Sequence, residues 1–124
     1  AFLSLLMGIK ESAFVIVSSG LALSPKKSAP VYCATKAAVH MFTKALRYQM
    51  EGTNVKVFEI LPPLVDTPMT EGRGKSKISA FKVAEDFIKG FEQNEFEINI
   101  GKVKLLKFMH RISPAMADNI LKHN

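Results

Sequence analysis

An α/β fold built on parallel strands is what this 124-residue sequence predicts, and three observations predict it. An unbroken apolar run, Ala13-Phe14-Val15-Ile16-Val17, ends in Ser18-Ser19-Gly20. A long stretch of helical character follows. A second run, Val55-Lys56-Val57-Phe58-Glu59-Ile60-Leu61, then stops at Pro62-Pro63. A continuous β-branched and aromatic run reads as a strand buried on both faces, the habit of parallel sheets. Strands alternating with helices define a layered α/β domain.

The remaining elements follow in order. The opening residues Ala1 to Ile9 are apolar but too short to span a bilayer, Lys10-Glu11 interrupt them, and no basic region precedes them as a signal peptide would require. A helix from about Pro30 to Met50 starts with proline near its first turn, where the missing N–H is tolerated. Ala34, Ala37, Ala38, Met41 and Ala45 give it a small-residue face suited to close packing. Beyond Gly74, spacings of three and four among Phe81, Ala84, Phe87, Ile88 and Phe91 predict a second helix, capped by Ser79 and with Gly90 near its end. Phe96-Glu97-Ile98-Asn99-Ile100 alternates as a strand before Gly101. Lys102 to Arg111 returns to helical spacing, and Ser113-Pro114 starts a terminal helix whose end, Lys122-His123, complements the helix dipole.

Composition narrows the function. Length and a hydrophobic share of 48% suit one globular, soluble domain with a core. The net charge of +6 raises the question of nucleic acid. Residues 1–60 carry seven basic and three acidic groups and residues 61–124 ten and eight, so no basic patch is concentrated and the charge reads as a solvated surface. Phe81, Phe87, Phe91 and Phe96 are spaced for a core-facing helix and strand, not for stacking bases. Cys33 is the single cysteine, which excludes an internal disulfide and a cysteine metal cluster and suits a cytoplasmic setting, with Cys33 packing as a small helical residue. His40, His110 and His123 show no ligand spacing with carboxylates or with one another, so no structural metal is expected.

The chemistry concentrates after the first strand. In open α/β sheets ligands bind beyond the carboxyl ends of strands, where Ser19 lies. Thirteen residues on, Tyr32 and Lys36 stand four apart at the start of the long helix, hence on one face. A phenol is a poor acid–base at neutral pH, and a neighbouring cation favours its phenolate. Such a pair arises by chance in roughly one chain of this composition in five, so the surroundings must supply the specificity. If the two strands are parallel, the proline loop opens on the same rim as Ser19.

The order strand, serine, Tyr-x-x-x-Lys helix, strand, proline loop resembles the second half of a short-chain dehydrogenase/reductase, in the family of NAD(P)-dependent Rossmann oxidoreductases. The resemblance covers nearly every residue. It implies a partial Rossmann fold, the C-terminal half of a doubly wound sheet, with about three parallel strands and flanking helices. It matches Ser19, rather than Ser18, to the catalytic serine, Tyr32 to the acid–base and Lys36 to the lysine that also binds the nicotinamide ribose. The loop Pro62-Pro63-Leu64-Val65-Asp66-Thr67 is similar to the family's P-G-x-V-x-T segment, which makes Pro62, Val65 and Thr67 cofactor-binding candidates beside Tyr32 and Lys36. Proline at 63, where the family has glycine, excludes a left-handed turn there. Pro-Pro followed by V-D-T is similar to a bacterial subgroup labelled DltE-like.

Further implications follow from the resemblance. The cofactor is NAD or NADP, the substrate a small carbonyl or alcohol, and Asp66 to Ser79 the substrate lid, with a mobile loop at Gly72-Arg73-Gly74. The opening residues become the tail of the helix before the Ser19 strand. The glycine-rich pyrophosphate turn and a further catalytic asparagine are not among these residues, so the chain reads as one partial domain, a fragment expected to bind NAD(P)H weakly by itself. Strand order leaves the Ala13 to Val17 strand with a bare edge. The small-residue helix face would form a homo-oligomer interface or pack only on the sheet. A non-catalytic interaction module and a basic nucleic-acid-binding domain are the alternatives.

Overall fold

The computed structural model describes residues 2–72, 74 and 76–122. Ala1, Arg73 of the glycine pair and the terminal His123 named above lie outside them. Helix α1 spans Phe2–Met7 and strand β1 Ser12–Val17, followed by a one-turn helix over Gly20–Ala22. Helix α2 (Pro30–Gln49) leads into β2 (Val55–Leu61). Short β3 (Val65–Asp66), a turn of helix over Pro68–Thr70 and β4 (Ile78–Ser79) precede α3 (Ala80–Glu92). β5 (Glu97–Asn99), α4 (Val103–Ile112) and α5 (Pro114–Lys122) complete the described chain. None of the described helices is long and apolar enough to cross a membrane.

The main sheet has the order β1-β2-β5, parallel throughout, with Val17 opposite Ile60 and Leu61 opposite Asn99. Successive strand residues point to opposite faces. Glu59 meets His40 of α2 on one face, while Phe58 meets Phe91 of α3 on the other, so α2 and α3 sandwich the sheet. Lys107 of α4 reaches Glu97 at 2.6 Å and joins α4 to the α2 side. The Ser24 hydroxyl donates to the Asp118 carboxylate, anchoring α5 on the loop before α2. The densest core is Phe58, Ile60, Ile98 and Ile100, with Val83 and Phe87 of α3 packed against it.

Two expectations are corrected. β1 is not buried on both faces: it is the edge strand of the sheet, and Val15 and Val17 are 40% and 54% exposed. Phe81 does not face the core but is 79% exposed, because α3 turns Val83, Phe87 and Gly90 inward instead. Of the two uses left open for the small face of α2, packing on the sheet is removed. Ala34, Ala37, Ala38, Met41 and Ala45 are all exposed, and the inward positions are Cys33, Thr43 and Leu46. Cys33 is buried, and its sulfur accepts the Lys26 N–H at 3.3 Å.

α3 sits unusually close to β5. A Cβ at Gly90 would lie 2.7 Å from Ile98 Cγ1 and 2.9 Å from its Cδ1. Ile98 is buried and stiff at χ1, so it cannot swing aside. Gly90→Ala is expected to destabilise the fold by roughly 1–2 kcal/mol, overpacking outweighing the better helix propensity of alanine. Urea denaturation measures the difference, and a gain in midpoint would contradict it.

Candidate active site

β1 and β2 end together on one rim. Ser18 N–H donates to Ile60 O at 2.9 Å, extending the ladder, and Gly20 N–H donates to Pro62 O at 3.0 Å, fastening the serine turn to the proline loop. Glycine at 20 also lets the start of α4 pack closely on this turn, since a Cβ would stand 2.7 Å from Val103 Cγ2. Ser19 is extended and buried, and its hydroxyl oxygen accepts the Leu21 N–H at 3.2 Å, capping the Gly20–Ala22 turn. Capping occupies one lone pair and leaves the O–H free to donate. Capping therefore does not preclude a further hydrogen bond from Ser19.

Pro30 opens α2 and places Tyr32 in its first turn, 43% exposed. Lys36 lies one turn further on. Its Nζ stands 5.8 Å from the Tyr32 ring centroid and donates to Val17 O, the last carbonyl of β1, at 3.2 Å. An ammonium carries three donors, so two remain for other acceptors.

The proline loop is held by its own contacts. Pro62 is buried, with its carbonyl engaged by Gly20. Val65 pairs with Ile78 in the parallel β3–β4 ladder, so segment 66–79 is tied down at both ends. Thr70 Oγ1 accepts the Thr67 N–H at 3.1 Å and donates to Val65 O at 2.5 Å. Thr67 Oγ1, 3.3 Å from Thr70 Oγ1, keeps spare hydrogen-bonding capacity. Ser19, Pro62 and Lys36 thus converge on one rim through backbone contacts, Tyr32 stands beside Lys36, and Val65 and Thr67 form a separate knot with Thr70.

Spacing gave no hint of a further group. His40 Nδ1 lies 3.0 and 2.9 Å from the two carboxylate oxygens of Glu59, which is only 1% exposed. The clue is a carboxylate in the middle of an otherwise apolar strand, which requires a partner when buried. The hydrogen bond to Glu59 raises the His40 pKa above its ordinary 6.5, with burial opposing and the negative charges of Glu59 and Glu97 adding. Glu97 is itself pushed up by burial but held below the usual carboxylate range by Lys107.

A raised imidazole pKa stabilises the fold fully below the unfolded value and ceases to do so as pH rises through the folded one. Thermal stability is therefore expected to fall as pH climbs from about 6 through the folded His40 pKa. In His40→Asn that step should be absent. An unchanged step in the variant would assign the effect to another group.

The parallel sheet sandwiched by helices, with polar residues gathered where its strands end, defines an α/β domain. The chain belongs to the short-chain dehydrogenase family, whose description matches residues 1–78. An uncharacterized oxidoreductase, DltE, of Bacillus subtilis is 40% identical over 108 residues, covering 82% of this chain and 43% of that protein. An uncharacterized oxidoreductase of Staphylococcus epidermidis is 35% identical over 102 residues, covering 78% of this chain and 44% of its own length. Among solved structures, a short chain dehydrogenase from Burkholderia cenocepacia in complex with NADP superposes with a TM-score of 0.89 at 23% identity, over 98% of this chain and 51% of that one. One from Burkholderia phymatum in complex with NAD gives 0.70 at 18% identity, over 90% and 52%. The chain spans less than half the length of these curated relatives and about half of the solved chains.

Proposed function

We propose that this chain supplies the catalytic half of an NAD(P)-dependent oxidoreductase that moves a hydride between nicotinamide and a carbonyl or alcohol carbon. The observation that carries the reading is the Tyr32–Lys36 pair beside the ends of β1 and β2, with Lys36 Nζ 5.8 Å from the Tyr32 ring and bonded to Val17 O. The family and the NADP- and NAD-bound neighbours support it.

The residues suit the nicotinamide end of the cofactor. The two uncommitted donors of Lys36 match ribose hydroxyls, Thr67 Oγ1 has capacity for a carboxamide, and Pro62 and Val65 shape the adjoining wall. The bound cofactor supplies or accepts the hydride. The Tyr32 hydroxyl gives its proton to the oxygen of the carbonyl being reduced, and in the reverse direction its phenolate takes the proton of the alcohol. The Ser19 O–H, left free by its cap, donates to the same substrate oxygen and stabilises its developing charge. The Lys36 ammonium favours the phenolate. Segment 66–79 covers a small-molecule substrate.

A second reading, an interaction module, is favoured by one observation, the exposed small face of α2. The two are compatible if that face joins copies of the oxidoreductase. A cytoplasmic setting suits the single, buried cysteine.

The test is turnover by a protein containing this chain together with a glycine-rich nucleotide-binding half. NADH and NADPH are each offered with aldehydes and ketones, and NAD and NADP with alcohols. Consumption of either cofactor in step with product supports the reading. Tight cofactor binding without turnover of any substrate would leave the interaction module in its place.

A further inference from the structure

We infer that His40 and Glu59 are positioning residues, a pair that sets the height of the Tyr32–Lys36 turn over the strand ends. The inference rests on the reading of Tyr32 and Lys36 as the acid–base pair. α2 is fastened to the sheet largely by polar side chains. Lys36 Nζ donates to Val17 O at 3.2 Å, His40 meets both Glu59 oxygens at 2.9 and 3.0 Å, and Arg47 donates to Val57 O at 3.1 Å and Phe96 O at 3.0 Å. The fully buried side chains of the helix are Cys33, Thr43 and Leu46, so no large buried apolar anchor lies within a turn of Lys36. Beyond Lys36 itself, His40 is the next tie to the sheet, one turn of about 5.4 Å away on the same face.

Glu59 is well placed to transmit position. It lies in β2, three residues before Pro62, whose carbonyl holds Gly20 beside Ser19. The pair therefore connects the helix bearing the proton donor to the strand that builds the substrate rim. A helix turn is stiff, so displacement at His40 is passed to Lys36 and Tyr32. A shift of an ångström in a reacting group is costly to rate. The contact is also titratable. The charged groups acting on His40 from the packed elements are Glu59 on β2, Glu97 on β5 and Lys107 on α4, and its protonation strengthens the hold on Glu59.

Tyr32 is one of two tyrosines in these 124 residues, and in the tyrosine-labelled full-length oxidoreductase its ring signal is the one that disappears in Tyr32→Phe. That signal is expected to shift with pH in step with the His40 titration and to lose the inflection in His40→Asn. In the full-length oxidoreductase, His40→Ala should lower kcat about tenfold with KM for the carbonyl substrate little changed. His40→Asn should recover most of that loss, since an amide N–H can occupy the Nδ1 position and donate to Glu59. A Tyr32 signal indifferent to His40 titration, or a folded His40→Ala with wild-type kcat, overturns the inference. If His40→Ala does not fold, the His40→Asn signal decides alone, and an inflection that persists there overturns it. Should Tyr32→Phe keep full turnover, the acid–base reading fails, and the coupling between His40 and Tyr32 is still measured by the ring signal.

Discussion

Tyr32→Phe is expected to reduce turnover about a thousandfold while leaving the fold intact. The substitution removes one oxygen, which in the proposed chemistry exchanges a proton with the substrate, and positioned proton transfer contributes about 10²- to 10⁴-fold to rate. The structural cost is small because Tyr32 is 43% exposed in the first turn of α2 and no group among the described residues hydrogen-bonds its hydroxyl. The ring itself is retained, so stability should stay within about 0.5 kcal/mol of wild type. Turnover in the full-length oxidoreductase and thermal unfolding are measured on the same preparation. Activity within a few fold of wild type would remove Tyr32 from the chemistry.

Phe58→Ala is expected to cost about 3–5 kcal/mol. Phe58 has no solvent exposure and stands at the centre of the aromatic cluster, with ring centroids 4.7 Å from Phe91 and 5.2 Å from Phe96. Tilted aromatic pairs contribute beyond the area they bury, and the surrounding Ile60, Ile98 and Ile100 are held by the sheet and cannot collapse into the void. Total stability of a domain is commonly about 5–15 kcal/mol, so the loss is a large share of it. Phe81→Ala is the control: the same residue type at 79% exposure should move the urea midpoint little. Equal losses at the two positions would refute the packing described for α3 and β5.

The contrast between those phenylalanines also shows what could be read before folding. Ser18-Ser19-Gly20, Pro30 and Pro62-Pro63 act on the backbone locally, and the ends of β1, α2 and β2 fall beside them. Ser79 likewise caps α3, its hydroxyl accepting the Lys82 N–H at 3.1 Å. Which face a residue turns inward is a different matter, because it depends on what lies across from it. Spacings of three and four chain Phe81 to Phe87, but six residues of helix set the two about 120° apart, and the face that turns Val83, Phe87 and Gly90 inward leaves Phe81 outside. β1 has an apolar sequence on both sides, yet as an edge strand it leaves Val15 and Val17 exposed. The β3–β4 ladder has two residues per strand, too few to leave a local pattern. Of the candidate site, Ser19, Tyr32 and Lys36 could be named from order and spacing, whereas the link from His40 to Glu59 spans two elements and was visible only as a misplaced charge in β2.

α2 has two long sides, and they answer to different constraints. The side facing the sheet is tied by Lys36, His40 and Arg47 to specific oxygens, so a change there misaligns the helix at once. The outward side, with Ala34, Ala37, Ala38, Met41 and Ala45, touches none of those bonds. Mutations can accumulate on it without retuning the rim. A lineage carrying this helix is free to change the company it keeps while its chemistry is held constant, and divergence among its members should be written on the outer surface first.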